Sequence, residues 1–315
     1  MFPRASVAVS SKAGLLDEPT EIPADALFPI YSVTKTLTAV CALRLAEHGS
    51  LSLDAPITTY VPDVDLPDSI TIARLLVHTS GLPDYGDLAA YHDAVRTNPG
   101  NPWTRSGFLD AVMPRGLLFE PGSGWSYSNV GYMLVIDALE RVTGQSFADS
   151  IKRFVSDPLE LLQTHVVSRV EDLEPCEAGF GSEVSRDGKI VDVRGIYHPG
   201  WCAPRLVVST ARELVAIFEA LFVGQLLSPT SRSQMAPSVP LPEPDIVAGA
   251  GIYQDMASPF GRNRSHGGGG PGYEISVTTY LDVAGGPMTV AVLVNTSTRP
   301  GEARDREARL MRGRQ

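Results

Sequence analysis

Strand-like runs sit at both ends of this chain and a helical stretch lies between them, which restricts the ways a single sheet can be assembled. Residues 6–11, "SVAVSS", alternate as a strand does. Near the other end "GAGIYQDM", "EISVTTYLD" and "PMTVAVLVNTS" are strand-like, and Gly285-Gly286 joins the last two as a hairpin. Between these ends, residues 32–48 read as a strong helix stopped by Gly49. Segments 69–78, 130–143 and 146–155 read as further helices separated by Pro/Gly turns. Residues 210–222 form an amphipathic helix, and the charged tail 301–313 is helical. The expected class is α+β: an antiparallel sheet built from both chain ends, flanked by helices, with a mostly helical insertion. Residues 1–55 and 205–315 would carry the sheet and 56–204 the helical part, as one discontinuous unit.

The 315 residues, 43% of them hydrophobic, suffice for one large core or two lobes. A net charge of −10, with no basic block outside the Arg-rich last dozen residues, gives no electrostatic support to a nucleic-acid or membrane partner. A small-molecule substrate fits better. Cys41, Cys176 and Cys202 are odd in number and widely spaced, which argues against a disulfide framework and a zinc site. No window approaches a membrane span and no basic segment leads into a long apolar one, so a cytoplasmic location is expected.

The chain has 22 arginines and four lysines, and one of the lysines falls three residues after Ser32 in "FPIYSVTKTLTAVCALRLAEHGS". On a helix beginning at or just after Ser32, that spacing brings Lys35 round to the serine's side. The helix N-terminus offers free N–H groups and partial positive charge to an oxyanion. Serine needs an adjacent base to become a nucleophile, and lysine serves once its pKa is depressed, whereas arginine stays protonated. The same spacing suits an N-cap serine followed by a solvated first-turn lysine. Two other stretches bear on the choice. "FEPGSGWSYSNVGYML" contains Tyr127-Ser128-Asn129, and "SHGGGGPGY" places His266 before four glycines that allow close backbone approach.

Taken together, these segments resemble the serine β-lactamase and penicillin-binding-protein-like hydrolases, especially the class C β-lactamase and esterase branch. The resemblance extends over nearly the whole chain. It rests on "FPIYSVTKTLTA", "ARLLVHTSGLPDY", "FEPGSGWSYSNVGYMLV" and the approach to "SHGGGGPGYEISVTTYLD". The absence of G-x-S-x-G and H-E-x-x-H argues against an α/β-hydrolase and a zincin.

The resemblance implies Ser32 as the acylated nucleophile and Lys35 as base or electrostatic activator. Tyr127 would shuttle a proton to the leaving group, Asn129 would orient substrate and lysine, and the backbone N–H groups of Ser32 and Gly269 would form the oxyanion hole. Whether Lys35 or Tyr127 removes the serine proton stays open. His78 reads as a structural histidine at a helix end. In the third motif, penicillin-recognising relatives carry a lysine that meets the substrate carboxylate; here His266 stands in that place, followed by Gly267 and Gly268, and a neutral histidine pulls less on a carboxylate. The expectation is a serine hydrolase, without cofactor or metal, acting on small acyl esters. The alternatives are a D-amino-acid peptidase, amidase or acyltransferase with weak β-lactam hydrolysis, or an inactive scaffold of the same fold.

Overall fold

A computed structural model describes residues 7–11 and 21–313. Strands β1 (Val7–Ser11), β2 (Glu21–Ile22) and β3 (Leu27–Pro29) lead to α1 (Thr34–Glu47). Helices α2 (Ile57–Tyr60), α3 (Ile72–Leu76), α4 (Ala89–Thr97), α5 (Arg105–Val112), α6 (Asn129–Thr143) and α7 (Phe147–Ile151) follow. Next come β4 (His165–Val167), β5 (Phe180–Gly181), β6 (Val191–Asp192), β7 (Leu206–Thr210), α8 (Ala211–Phe222) and α9 (Pro229–Met235). The chain ends in β8 (Val239–Pro240), β9 (Ile246–Gly249), β10 (Ile252–Asp255), β11 (Asn263–Gly270), β12 (Tyr273–Tyr280), β13 (Met288–Val294) and α10 (Glu302–Arg312).

The main sheet has the order β2-β1-β13-β12-β11-β10-β9-β8, so both chain ends meet in it. Its pairs are antiparallel except β1 with β13, which run parallel in the register Val7 to Val290. No hairpin links those two strands, so connectivity does not impose the antiparallel sense there. β13 reads "MTVAVLV" without polar alternation because both its faces are covered. Ala291 and Leu293 join the core that includes Leu214 and Phe218 of α8, while Val290, Val292 and Val294 pack with Ala303 and Met311 of α10. The first of these cores is continuous, running from Val277 in the sheet through Leu37 of α1 to Val135 of α6 and Leu75 of α3.

Several boundaries differ from the sequence expectation. Ser6 lies outside the described residues, and the strand covers the rest of 6–11. The 69–78 helix is only α3, because the Thr71 hydroxyl caps it by accepting from Arg74 N and His78 turns into a left-handed backbone, φ 61°. The 146–155 helix is α7 continued by π-type turns over Lys152–Ser156. "GAGIYQDM" is no single strand: Ala250 and Gly251 fold it into the β9–β10 hairpin. A separate small sheet, β3-β7-β4, has no counterpart in the sequence reading.

α1 is buried from Thr34 to Leu43 on every side, as a helix without a polar face must be. Its first turn is pinned from both sides: Val207 N donates to Thr34 Oγ1 at 3.3 Å, and Thr36 Oγ1 donates to Gly251 O at 2.6 Å. α6 starts at a Ser128 cap, whose Oγ accepts from Gly131 N, and stops at Gly144 with φ 64°.

Candidate active site

Ser32 does not cap a helix. It occupies a 3-10 turn, Tyr31–Val33, and α1 begins only at Thr34, with Val33 at its N-cap. The turn is held by Ile30 N donating to Val207 O at 2.9 Å and Val33 N donating to Ile30 O at 3.0 Å. Tyr31, just before the serine, has φ 43°, a conformation costly for a bulky residue and found mostly where surroundings enforce it. Those surroundings are the glycine strand. The Tyr31 hydroxyl donates to Pro271 O at 2.6 Å, and a Cβ on Gly270 would stand 2.2 Å from the Tyr31 ring. A Cβ on Gly268 would come within 2.3 Å of Ile30 O and 3.2 Å of Ser32 N. Glycine at 268 and 270 is therefore what lets β11 lie against the turn.

Around Ser32 Oγ the structure gathers three of the expected partners. Tyr127 OH donates to Ser32 Oγ at 2.8 Å, Lys35 Nζ stands 3.3 Å from the same oxygen, and Lys35 Nζ donates to Asn129 Oδ1 at 2.6 Å. Lys35 is 2% exposed and lies over the Tyr127 ring, 4.8 Å from its centroid. Burial lowers its pKa to about 8, with the negative charge of Asp84 opposing the shift. Tyr127 moves the other way: burial raises its phenol well above the ordinary value, against the pull of its bond to Ser32. In the resting site the phenol is thus protonated and donating, and Lys35 can accept the Ser32 proton only once it has lost its own, above about pH 8.

His266 and Gly269 lie on β11. His266 is 3% exposed, its Nδ1 bonds Gly267 O at 2.6 Å and its ring meets Tyr253 edge-on at 5.2 Å. A carbonyl only accepts, so Nδ1 carries the proton, and the buried Nε2 has no hydrogen-bond partner. Burial first, and the Lys35 charge after it, hold its pKa down at about 3, although the bond to Gly267 favours the charged form. Gly269 is exposed, with open space where a Cβ would stand. A groove of about 1010 Å³ runs along this strand, with Tyr91, Val95 and Tyr253 among its apolar walls. His266 and Gly267 to Gly270 line it, whereas Ser32, Lys35, Tyr127 and Asn129 do not.

Two residues contribute more than the sequence suggested. His78, at the end of α3, accepts from Ser128 N through Nδ1 at 3.1 Å and stacks on Tyr127 at 4.5 Å, with its Nε2 buried and unpartnered. It is a structural histidine only half satisfied, and burial drives its pKa well below the usual value. Asp84 was not among the candidates, although "GLPDY" shows it as the lone acid of an otherwise uncharged segment. Its carboxylate accepts from Asn129 N and Asn129 Nδ2, each at 2.9 Å. Among the described residues no cluster of ligating side chains could hold a metal ion, no helix is long and apolar enough to cross a membrane, and Cys41, Cys176 and Cys202 are free.

A buried lysine with a depressed pKa, a serine on a forced turn and a tyrosine hydroxyl bonded to that serine together form a site with the parts of an activated serine nucleophile. The chain belongs to the Beta-lactamase family, whose model matches residues 4–313. Penicillin-binding protein 4* of Bacillus subtilis (strain 168) is 29% identical over 285 residues, 85% of this chain and 61% of that protein. Esterase EstB of Burkholderia gladioli is 34% identical over 168 residues, 46% of this chain and 39% of that protein. The chain thus spans less than two thirds of the length of either relative. The crystal structure of a D-stereospecific amidohydrolase from Streptomyces sp. superposes with a TM-score of 0.76 at 27% identity, covering 86% of this chain and 83% of that one.

Proposed function

We propose that the protein is a carboxylesterase that hydrolyses small, uncharged acyl esters through an acyl group carried on Ser32. Lys35, once neutral, takes the Ser32 proton as Oγ attacks the ester carbonyl. The oxyanion is received by the backbone N–H groups of Ser32 and Gly269, a placement supported by the contact of β11 with the serine turn. Tyr127 gives its proton to the departing alkoxide while the proton gained by Lys35 replaces it, so no free phenolate accumulates. Water then repeats the attack on the acyl carbonyl with the same groups running in reverse, and the carboxylic acid leaves.

The observation that carries the ester reading is the state of His266. Its buried, neutral ring offers no cation at the position where a carboxylate would need one. Esters without a charged group lose nothing by this, whereas cephalosporins carry an obligatory carboxylate. The test is kcat/KM for a p-nitrophenyl ester of a short acid, a cephalosporin and a D-amino-acid amide. Wild type should favour the ester over the cephalosporin by about tenfold or more, roughly the value of one or two charge interactions. His266→Lys should raise cephalosporin turnover by no more than about fivefold. A wild-type preference for the cephalosporin would overturn the reading. The likeness to the Streptomyces amidohydrolase favours amide hydrolysis as the second reading, and dominance of the amide in the same panel would select it.

A further inference from the structure

We propose that Asp84 is a positioning residue for the reaction: it locks the Asn129 amide so that the carbonyl oxygen faces Lys35, and thereby presents the lysine to Ser32 as a base. The inference rests on the reading of Lys35 as the group that activates Ser32.

An asparagine amide has nearly the same shape whichever way it is turned, so its neighbours decide which end is oxygen. An ionised carboxylate only accepts. Asp84 Oδ2 lies 2.9 Å from one end of the Asn129 amide, so that end is the –NH2 and the other, 2.6 Å from Lys35 Nζ, is the oxygen. In the opposite orientation two oxygens would face each other on one side and two sets of N–H groups on the other. Asp84 Oδ1 holds Asn129 a second time, through its backbone N–H at 2.9 Å. That N–H belongs to the first residue of α6 and has no acceptor within the helix, so the carboxylate also meets the positive end of the α6 dipole. Asp84 is 7% exposed and fixed from both sides: Pro83 O before it accepts from Ser128 Oγ at 3.2 Å, and the Tyr85 hydroxyl after it accepts from Ala203 N at 3.2 Å.

For the lysine the outcome is directional. A neutral amine has two N–H bonds and one lone pair. With one N–H spent on Asn129 Oδ1, the amine is steered toward Ser32 Oγ, 3.3 Å away, where the lone pair is needed. The negative charge of Asp84 also supports the protonated lysine against burial, so it sets the pH at which the base becomes available. Removing that charge lets burial prevail and frees the amine at lower pH. Asn at position 84 would add a second effect, since its –NH2 can face Asn129 and turn the Asn129 –NH2 toward Lys35.

The test follows two readouts across pH 5.5–10 in wild type, Asp84→Asn and Asp84→Ser: the rate of Ser32 labelling by a fluorophosphonate, and kcat and KM for a p-nitrophenyl ester. Wild-type labelling should rise through about pH 8 with deprotonation of Lys35. In Asp84→Asn the rising limb should move to lower pH by about half a unit or more, with kcat down roughly tenfold and KM within about twofold. Asp84→Ser keeps an acceptor for Asn129 N without the charge, and its limb should shift in the same direction. A limb unmoved in both variants overturns the proposal whatever happens to kcat, because a purely structural role can lower activity but not move the limb. Failure of wild type to label at Ser32 overturns it together with the assignment of the nucleophile. Wild type that labels with the expected limb yet turns over no ester sinks only the esterase reading, and Asp84 is then judged on labelling.

Discussion

Lys35 and Tyr127, both hydrogen-bonded to Ser32, are moved by burial in opposite directions, and in the proposed mechanism that difference divides the proton work. Burial lowers the lysine to about 8 and raises the phenol, so near neutral pH the first is the better base and the second the better donor. The sign for activity is direct: Lys35 is protonated below about 8 and becomes competent above it, so kcat/KM for a neutral ester should climb as pH rises through that value. A profile that falls over the same range contradicts the assignment. Lys35→Ala and Tyr127→Phe should each lower kcat by roughly two orders of magnitude or more, and the double variant should lose little further, because the two groups act on one proton circuit. Lys35→Arg should stay inactive, since guanidinium keeps the charge but accepts no proton. Steady-state kinetics on the four variants measure all of this.

The place of Ser32 is determined between elements rather than within one. β11 can lie against the Tyr31–Val33 turn only because residues 268 and 270 lack side chains, while residue 269 faces open space. Gly268→Ala would set a methyl group against the Ile30 carbonyl, and it should cost about 1–3 kcal/mol of stability and at least tenfold in kcat. Gly269→Ala should change stability by less than about 0.5 kcal/mol. Thermal melts and ester turnover compare them, and equal behaviour of the two variants would contradict this packing. These contacts also mark the limit of sequence reading. Period and turn residues revealed the helices near 130–143 and 210–222 and the β12–β13 hairpin, because those signals are local. β3 is too short to show a period, and the all-apolar start of β7 lacks one, so their pairing was invisible. The strain at Tyr31 and the clamp of Asp84 on Asn129 depend on residues far apart in the chain, and "GLPDY" taken alone gives no sign of its partner.

Across the whole molecule, one continuous core ties the sheet built from both chain ends to the helices around the site, so the pH response of the site is also a response of the fold. His266 and His78 are neutral when folded, their pKa values pushed below the ordinary 6.5 by burial. An unfolded chain takes up protons there that the folded one refuses. Stability is therefore fully present above about 6.5 and falls as pH drops toward the folded value, about 3 for His266. Between pH 6.5 and 5 this costs on the order of 2 kcal/mol from His266. Denaturant unfolding at pH 7 and 5 should show that loss, and His266→Gln should reduce it; an identical pH dependence in the variant would count against the buried neutral ring. The proposed function turns on one event, the transfer of an acyl group to the serine on the forced turn. The most direct measurement is peptide mass spectrometry of the wild-type protein after reaction with a slow ester or a fluorophosphonate. The adduct should lie on the peptide containing Ser32 and vanish in Ser32→Ala, whereas an adduct on Ser80, Ser123 or Ser126 that persists in Ser32→Ala would contradict the proposed chemistry.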